Sequence, residues 1–246
     1  MIALEISNIC KQFEDFHGNV HVVLKDCSLN VNEGEIFGLV GLNGIGKTTL
    51  IKILLDMLNE DSGSAKFFGL DHKMPASRQN ICYLPEKFMP SQYLTGYEFL
   101  EISLSFFNKK LDKEKAREMA TKLDLDPNCL GNIIGKYSKG MGQKLGLMSC
   151  FLSGARLLIL DEPMTGLDPK SRIMLKQTLL EYKNQGNSVF FSSHILEDIG
   201  EICDNMAVLH DTDIKFYGSP EDFKKKYNSQ SAEKAFLNCI NVGSNK

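Results

Sequence analysis

Glycines, a lysine and two threonines stand in the run Gly41-Leu42-Asn43-Gly44-Ile45-Gly46-Lys47-Thr48-Thr49 at the spacing G-x-x-x-x-G-K-[ST], a pattern whose chemistry is the binding of a phosphate chain. Glycine lets successive backbone N–H groups turn into one concavity without Cβ clashes, and those donors act together with the positive end of a following helix. Lys47 adds a point charge within reach of β- and γ-phosphates, and the Thr48 hydroxyl is an oxygen ligand of the kind Mg2+ takes. Asn43, Gly44, Gly46, Lys47, Thr48 and Thr49 are therefore the candidate phosphate-binding residues, with Lys47 expected to face solvent without nucleotide.

A second stretch, Leu157-Leu158-Ile159-Leu160-Asp161-Glu162, sets two acids at the end of an apolar run too short for a comfortable helix. Such a run reads as a central parallel strand, and the C-terminal end of that strand is where open α/β sheets hold ligands. Asp161 would accept from the Mg2+ shell; Glu162, one residue on, would orient or deprotonate an attacking water. Alone, the acids read equally well as a strand ending in solvent, and only the glycine loop upstream gives them this role.

These residues need elements to position them. Ile36 to Val40 predicts a buried strand entering the loop, and Thr48 to Met57 predicts a helix leaving it. Two short antiparallel segments, Ile2 to Ile6 and Cys27 to Val31, come before, and the apolar strands Leu157 to Leu160, Ser188 to Phe191 and Ala207 to Leu209 return to the same core. Between them, Gly96 to Phe107 has apolar residues at helical spacing, and Asp112 caps an amphipathic run through Leu123. The domain organisation expected is a nucleotide core from residues 1–85 and 155–218, a helical subdomain at 86–154, and a C-terminal helix and tail at 219–246. Ser219-Pro220 opens a short helix there, and the chain after about Asn228 reads as loosely packed helix or frayed end.

Further stretches narrow the class. Tyr137-Ser138-Lys139-Gly140-Met141-Gly142-Gln143 lies upstream of the acids, Thr165-Gly166-Leu167-Asp168 follows them, and Ser192-Ser193-His194 ends another apolar strand. With these in this order, from about Leu4 to about Tyr227, the chain resembles the nucleotide-binding subunit of an ATP-binding cassette (ABC) transporter. The resemblance implies an α/β fold: a P-loop NTPase core with a mixed, mainly parallel sheet, an N-terminal antiparallel β subdomain and an inserted α-helical subdomain. It implies ATP and Mg2+ as ligands, Glu162 and His194 as catalytic residues, and Thr48, Glu86 and Asp161 toward the metal. It also implies a head-to-tail dimer, with itself or a related cassette, in which Ser138 and Gly140 contact the γ-phosphate held by the other subunit and Asp168 lies in the loop crossing the interface. Phe13 falls where the family stacks an aromatic ring on adenine, with Phe16 close by. Ser138 and Asp168 read equally as helix N-caps, the latter before Pro169 at the first helical position, and a cap is compatible with either role.

The chain departs from the family pattern in places. Glu86, in Tyr83-Leu84-Pro85-Glu86, replaces the usual glutamine, which implies altered coupling and not loss of activity, since a carboxylate still ligates Mg2+. Gly142 and Gly146 fall inside the helix opened by Ser138, and each costs about 1 kcal/mol relative to alanine, so this helix is expected to be soft.

Composition limits the alternatives. With 43% hydrophobic and 24% charged residues and no apolar run of membrane-spanning length, the chain reads as an ordinary soluble globular protein. The Met1–Ile6 start alternates like an edge strand and lacks the form of a secretion signal. Seven cysteines scattered without Cys-x-x-Cys spacing imply reduced thiols and no zinc site. A net charge of −3 with dispersed lysines gives no footprint for nucleic acid; Lys224-Lys225-Lys226 reads as a solvated helix face or as a cluster near anionic lipid or a membrane partner. Phe88, Met89, Tyr93, Leu94, Tyr97 and Phe99 follow Glu86, where the family receives a coupling helix, and read either as a partner groove or as the core of the helical lobe.

The function expected is the ATPase subunit of a multi-subunit transporter, peripheral on the cytoplasmic face of the cell membrane and paired with a separate transmembrane permease subunit. The YLPE and SKGM variants resemble exporter-type cassettes of drug-export and bacteriocin-immunity systems. A soluble ABC ATPase acting on ribosomes or DNA would carry two cassettes or long coiled coils, and this chain has neither; a non-catalytic regulatory cassette would not keep Lys47, Asp161, Glu162 and His194 together.

Overall fold

The computed structural model describes residues 1–241, and the end of the expected tail lies outside them. In chain order the elements are β1 (Ile2–Glu14), β2 (Val20–Asn32), β3 (Ile36–Val40), α1 (Lys47–Leu54), β4 (Ser62–Phe67), β5 (Leu70–Asp71) and β6 (Ile81–Leu84). There follow α2 (Gly96–Ser105), α3 (Lys113–Lys122), α4 (Lys139–Ser153), β7 (Leu157–Asp161), α5 (Pro169–Asn184) and β8 (Ser188–Ser193). The chain closes with α6 (Leu196–Ile202), β9 (Asn205–His210), β10 (Asp213–Gly218), α7 (Pro220–Lys226) and α8 (Ala232–Asn241). Two compact units divide it: residues 1–78 with 188 onward, and residues 79–187. The architecture is the expected α/β class, with an antiparallel sheet, a mixed and mainly parallel sheet, and helices.

In the first unit an antiparallel sheet has the order β2-β1-β4-β5. The expected segments Ile2 to Ile6 and Cys27 to Val31 are parts of longer strands, paired from Ile2↔Asn32 to Glu14↔Val20. A turn held by Asp15, whose Oδ1 accepts from His17 N at 2.8 Å and Asn19 N at 2.9 Å, closes this hairpin. Strand β4 has little apolar pattern; it pairs with β1, and Gly63 is needed there because a Cβ would stand 2.4 Å from Asn8 O. The same unit contains the strand run β10-β9-β3-β8, in which β3 pairs in parallel with both β8 and β9. Every residue of β3 and β8 is buried, as strands covered on both faces require, and the opposed rings of Phe37 and Phe190 stack 5.8 Å apart.

Helix α1 ends at Leu54, earlier than expected. Asp56 takes a left-handed φ of 58°, and bonds from Met57 N to Lys52 O and from Asp56 N to Ile53 O close the helix in a Schellman turn, which apolar spacing does not register. At the far end, Ser219 caps α7 as expected. Helix α8 buries Ala235, Phe236 and Cys239, so its span carries a packed helix where a loose tail was an alternative.

In the second unit β6 and β7 pair in parallel, from Ile81↔Leu157 to Leu84↔Leu160. Thr95 and Glu98 form a capping box at the start of α2, and the Asp112 carboxylate accepts from Glu114 N and Lys115 N to cap α3 as expected. Helix α4 runs beside β6 so closely that a Cβ on Gly146 would stand 2.6 Å from Leu84 Cδ1 and 3.0 Å from the Phe88 ring, whereas Gly142 faces open space. Phe88 packs edge-on against Phe99, 5.4 Å between centroids, while Met89 and Tyr93 are 88% and 91% exposed. No disulfide joins the cysteines, and no helix among the described residues is long and apolar enough to cross a membrane.

Candidate functional site

The glycine loop leaves β3 at Val40, and each of its glycines answers a separate constraint. A Cβ on Gly41 would stand 2.7 Å from Leu209 O, so only glycine passes beside β9. Gly44 has φ 81°, the left-handed region that favours glycine. Gly46 combines φ 118° with a would-be Cβ 2.9 Å from Val23 Cγ1. The loop is tied at its start by Gly41 N donating to Ser193 O at 3.4 Å, and it delivers the chain into α1 with no side-chain cap and no acid in the first turn. The first-turn N–H groups and the positive helix end therefore face the loop's concavity without competition.

Lys47 does not face solvent, contrary to expectation. It is 6% exposed, and its Nζ donates to Gly41 O at 2.7 Å and Leu42 O at 3.4 Å. An ammonium this enclosed needs acceptors, and the carbonyls of its own loop are within reach. Asn43 and Gly44 are exposed, and Thr48 and Thr49 are half-buried. At the end of β8, His194 is exposed, and the helix that follows is not capped by it: Ile195 holds the N-cap position, and Ser193 Oγ accepts from Ile195 N at 3.0 Å. Phe13, in β1, is 42% exposed and lies on a paired strand, with the Lys11 ammonium 5.4 Å from its ring centroid. Phe16 stands at the tip of the hairpin turn, fully exposed.

In the second unit, Asp161 ends β7 fully buried and Glu162 follows at 6% exposure with φ 50°. A glutamate in the left-handed region costs about 1–2 kcal/mol, so the chain turns sharply here against local preference. The turn is supported: Gln143 Nε2 donates to Pro163 O at 3.2 Å and Thr165 N to Glu162 O at 3.0 Å. Glu86 is exposed just beyond β6. Tyr83 lies near both acids, and its phenol is pushed up to about 12 by burial, then by the charges of Asp161 and Glu86. Tyr83 thus lies within electrostatic reach of both Asp161 and Glu86.

Ser138 caps α4 by accepting from Met141 N at 3.2 Å, and Gly140 sits where a Cβ would be 3.1 Å from Gly166 O. The Ser138–Gly140 turn and the Thr165–Asp168 turn are therefore in contact. Asp168 caps α5, accepting from Ser171 N at 3.0 Å and from Ser171 Oγ at 2.6 Å, and these bonds hold its carboxyl below the ordinary aspartate range. Sequence reasoning quoted Gln143 and Tyr83 within their motifs but missed their supporting contacts, since a bond to Pro163 O and a place beside Asp161 carry no spacing signal. The oxygen donors Thr48, Asp161 and Glu86 are of the type Mg2+ takes, and the loop's glycine-shaped concavity suits a phosphate chain.

A family model described as ABC transporter matches residues 24–165. The chain is 36% identical over 211 residues to an uncharacterized ABC transporter ATP-binding protein of Nostoc sp., a match covering 85% of this chain and 63% of that one. It is 35% identical over 218 residues to the bacitracin transport ATP-binding protein BcrA of Enterococcus faecalis, covering 85% and 66%. The chain thus spans less than two thirds of the length of either relative. A solved structure described as the ATP binding subunit of an ABC transporter superposes with a TM-score of 0.85 at 26% identity, covering 96% of this chain and 99% of that one.

Proposed function

Because this chain belongs to the ABC transporter family, we propose that it is the ATP-binding and ATP-hydrolysing subunit of a multi-subunit transporter, acting at the cytoplasmic face of the membrane with a separate permease. The observation that carries the reading is Glu162: a carboxylate one residue beyond the buried Asp161, held in a backbone conformation that glutamate does not favour. Strain of this kind persists where a side chain has to be aimed. The division of labour follows the motifs, with the nucleotide core at residues 1–85 and 155–218 and the helical part at 86–154.

In this reading the N–H groups of Gly44 to Thr49 and the Lys47 ammonium bind the phosphates of ATP, and Phe13 gives the adenine a stacking face. Thr48, Asp161 and Glu86 would be the residues to hold Mg2+, which would supply charge neutralisation at the phosphates. Glu162 accepts a proton from the attacking water, and His194 fixes its geometry against the γ-phosphate. Ser138 and Gly140 serve the nucleotide of a second cassette in a head-to-tail dimer. Export is the favoured direction because Tyr83-Leu84-Pro85-Glu86 and Ser138-Lys139-Gly140-Met141 are variants like those of exporter cassettes, and the relative BcrA is named for bacitracin transport.

The test is Glu162→Gln, which keeps shape and removes the base. It is expected to bind ATP with Mg2+ at parent affinity and to hydrolyse it orders of magnitude more slowly in a phosphate-release assay. Hydrolysis at the parent rate would remove Glu162 from the mechanism.

A further inference from the structure

We propose that His21 is a specificity-determining residue of the nucleobase subsite, flanking the edge of a purine stacked on Phe13; this rests on the reading of the 41–49 loop as a nucleotide site. Phe13 and His21 stand directly opposite each other in the β1–β2 pair. Their side chains therefore leave the same face of the sheet, with Cβ atoms about 4.5–5.5 Å apart. Lys11, two residues before Phe13 in β1, pairs with Leu24 across a register shift in β2, so Leu24 lies on that face too, and its Cδ2 is 3.2 Å from the position of a Cβ on Gly46. The face that carries Phe13 and His21 is thus continuous with the contact that β2 makes to the phosphate loop, all within one compact unit.

Lys11 Nζ lies over the Phe13 ring, 5.4 Å from its centroid, and is itself fixed by Asp61 Oδ1 at 2.6 Å. Phe13 is 42% exposed, and His21 is its cross-strand neighbour. His21 is exposed, and among the described residues its imidazole has no hydrogen-bond or ion-pair partner. A phenyl face stacks on every base alike, so Phe13 cannot by itself tell adenine from guanine. Discrimination needs a donor and an acceptor at the base edge, and neutral imidazole carries one of each. Phe16, at the tip of the turn, shares neither the face nor the strand pairing.

The experiment is calorimetric binding of ATP, GTP and inorganic triphosphate, each with Mg2+, to the parent, His21→Ala and His21→Gln proteins. His21→Ala is expected to weaken ATP binding about three- to tenfold, the loss of one hydrogen bond, and to bring the ATP-to-GTP affinity ratio toward one. Triphosphate affinity stays at the parent value, and His21→Gln, which offers a donor and an acceptor again, recovers ATP affinity to within about twofold. Unchanged ATP and GTP affinities in His21→Ala overturn the proposal, as does an equal loss for triphosphate, which would mark a distorted hairpin. Failure of triphosphate to bind the parent protein would instead overturn the reading of the phosphate loop, and this inference with it.

Discussion

An ammonium as enclosed as that of Lys47 has to be solvated by the protein, and the carbonyls of Gly41 and Leu42 do this at 2.7 and 3.4 Å. The side chain is thereby folded over its own loop. Glu162 is the complementary case, an acid kept at 6% exposure by a left-handed backbone that only the surrounding packing can enforce. Phe13, proposed to stack on adenine, is 42% exposed and would need no enclosure, because a stacking ring works by its open face. Phe13→Ala is expected to weaken ATP affinity by about 1–3 kcal/mol, the range for a base on an aromatic ring, and Phe16→Ala to leave it unchanged. Calorimetry on the two variants decides between them, and the reverse outcome would move the platform three residues along the chain.

Among the elements, α4 carries the Ser138 turn and contains two glycines in different environments. A methyl at Gly142 meets nothing, so Gly142→Ala gains helix propensity of about 1 kcal/mol, which for a chain of this size raises Tm by about 2–4 °C. A methyl at Gly146 meets the buried Leu84 and the Phe88 ring, so Gly146→Ala overpacks by about 1–3 kcal/mol and lowers Tm. Thermal unfolding without nucleotide reads both, and equal shifts of one sign would refute the packing argument. The three helices α3, α4 and α5 are tied at Asp124, whose carboxylate meets Lys170 Nζ at 2.6 Å, Lys144 Nζ at 3.5 Å and Ser171 Oγ at 3.2 Å. Lys170 foremost, against some burial, holds this carboxyl below the ordinary aspartate range. A depressed carboxylate stabilises the fold above its unfolded value of about 3.9 and loses that contribution as pH falls through the lower folded value. Asp124→Asn is therefore expected to cost about 1 kcal/mol at pH 7 and progressively less below about pH 4, measured by urea unfolding.

For the whole molecule, the contact between the Ser138–Gly140 turn and Gly166 joins the two segments that the head-to-tail dimer reading assigns to the interface. In the Glu162→Gln background, ATP with Mg2+ is expected to accumulate a dimer, because the variant retains ATP and loses a negative charge near the phosphates. Adding Ser138→Arg places a bulky cation at the N-cap of α4 and is expected to return the protein to monomer in sedimentation velocity. A double variant that still dimerises would remove Ser138 from the interface.

The sequence determined those features that depend on local chemistry. The loop spacing from Gly41 to Thr49, the apolar runs of β3, β7 and β8, and the caps Asp112, Ser138, Asp168 and Ser219 were all legible, because strand burial and capping bonds are made between near neighbours in the chain. Tertiary structure decided whatever depends on residues far apart. Strand β4, with its polar sequence, is a strand because β1 pairs with it, and Gly41 and Gly146 are required by Leu209 and Leu84, distant in sequence. Lys47 is buried by the return of its own loop, and Asp124 becomes a tie only when α4 and α5 bring their lysines to it. Hydrogen bonds, close approaches and charge neighbours of that kind are set by the path of the whole chain, so no window of sequence contains them.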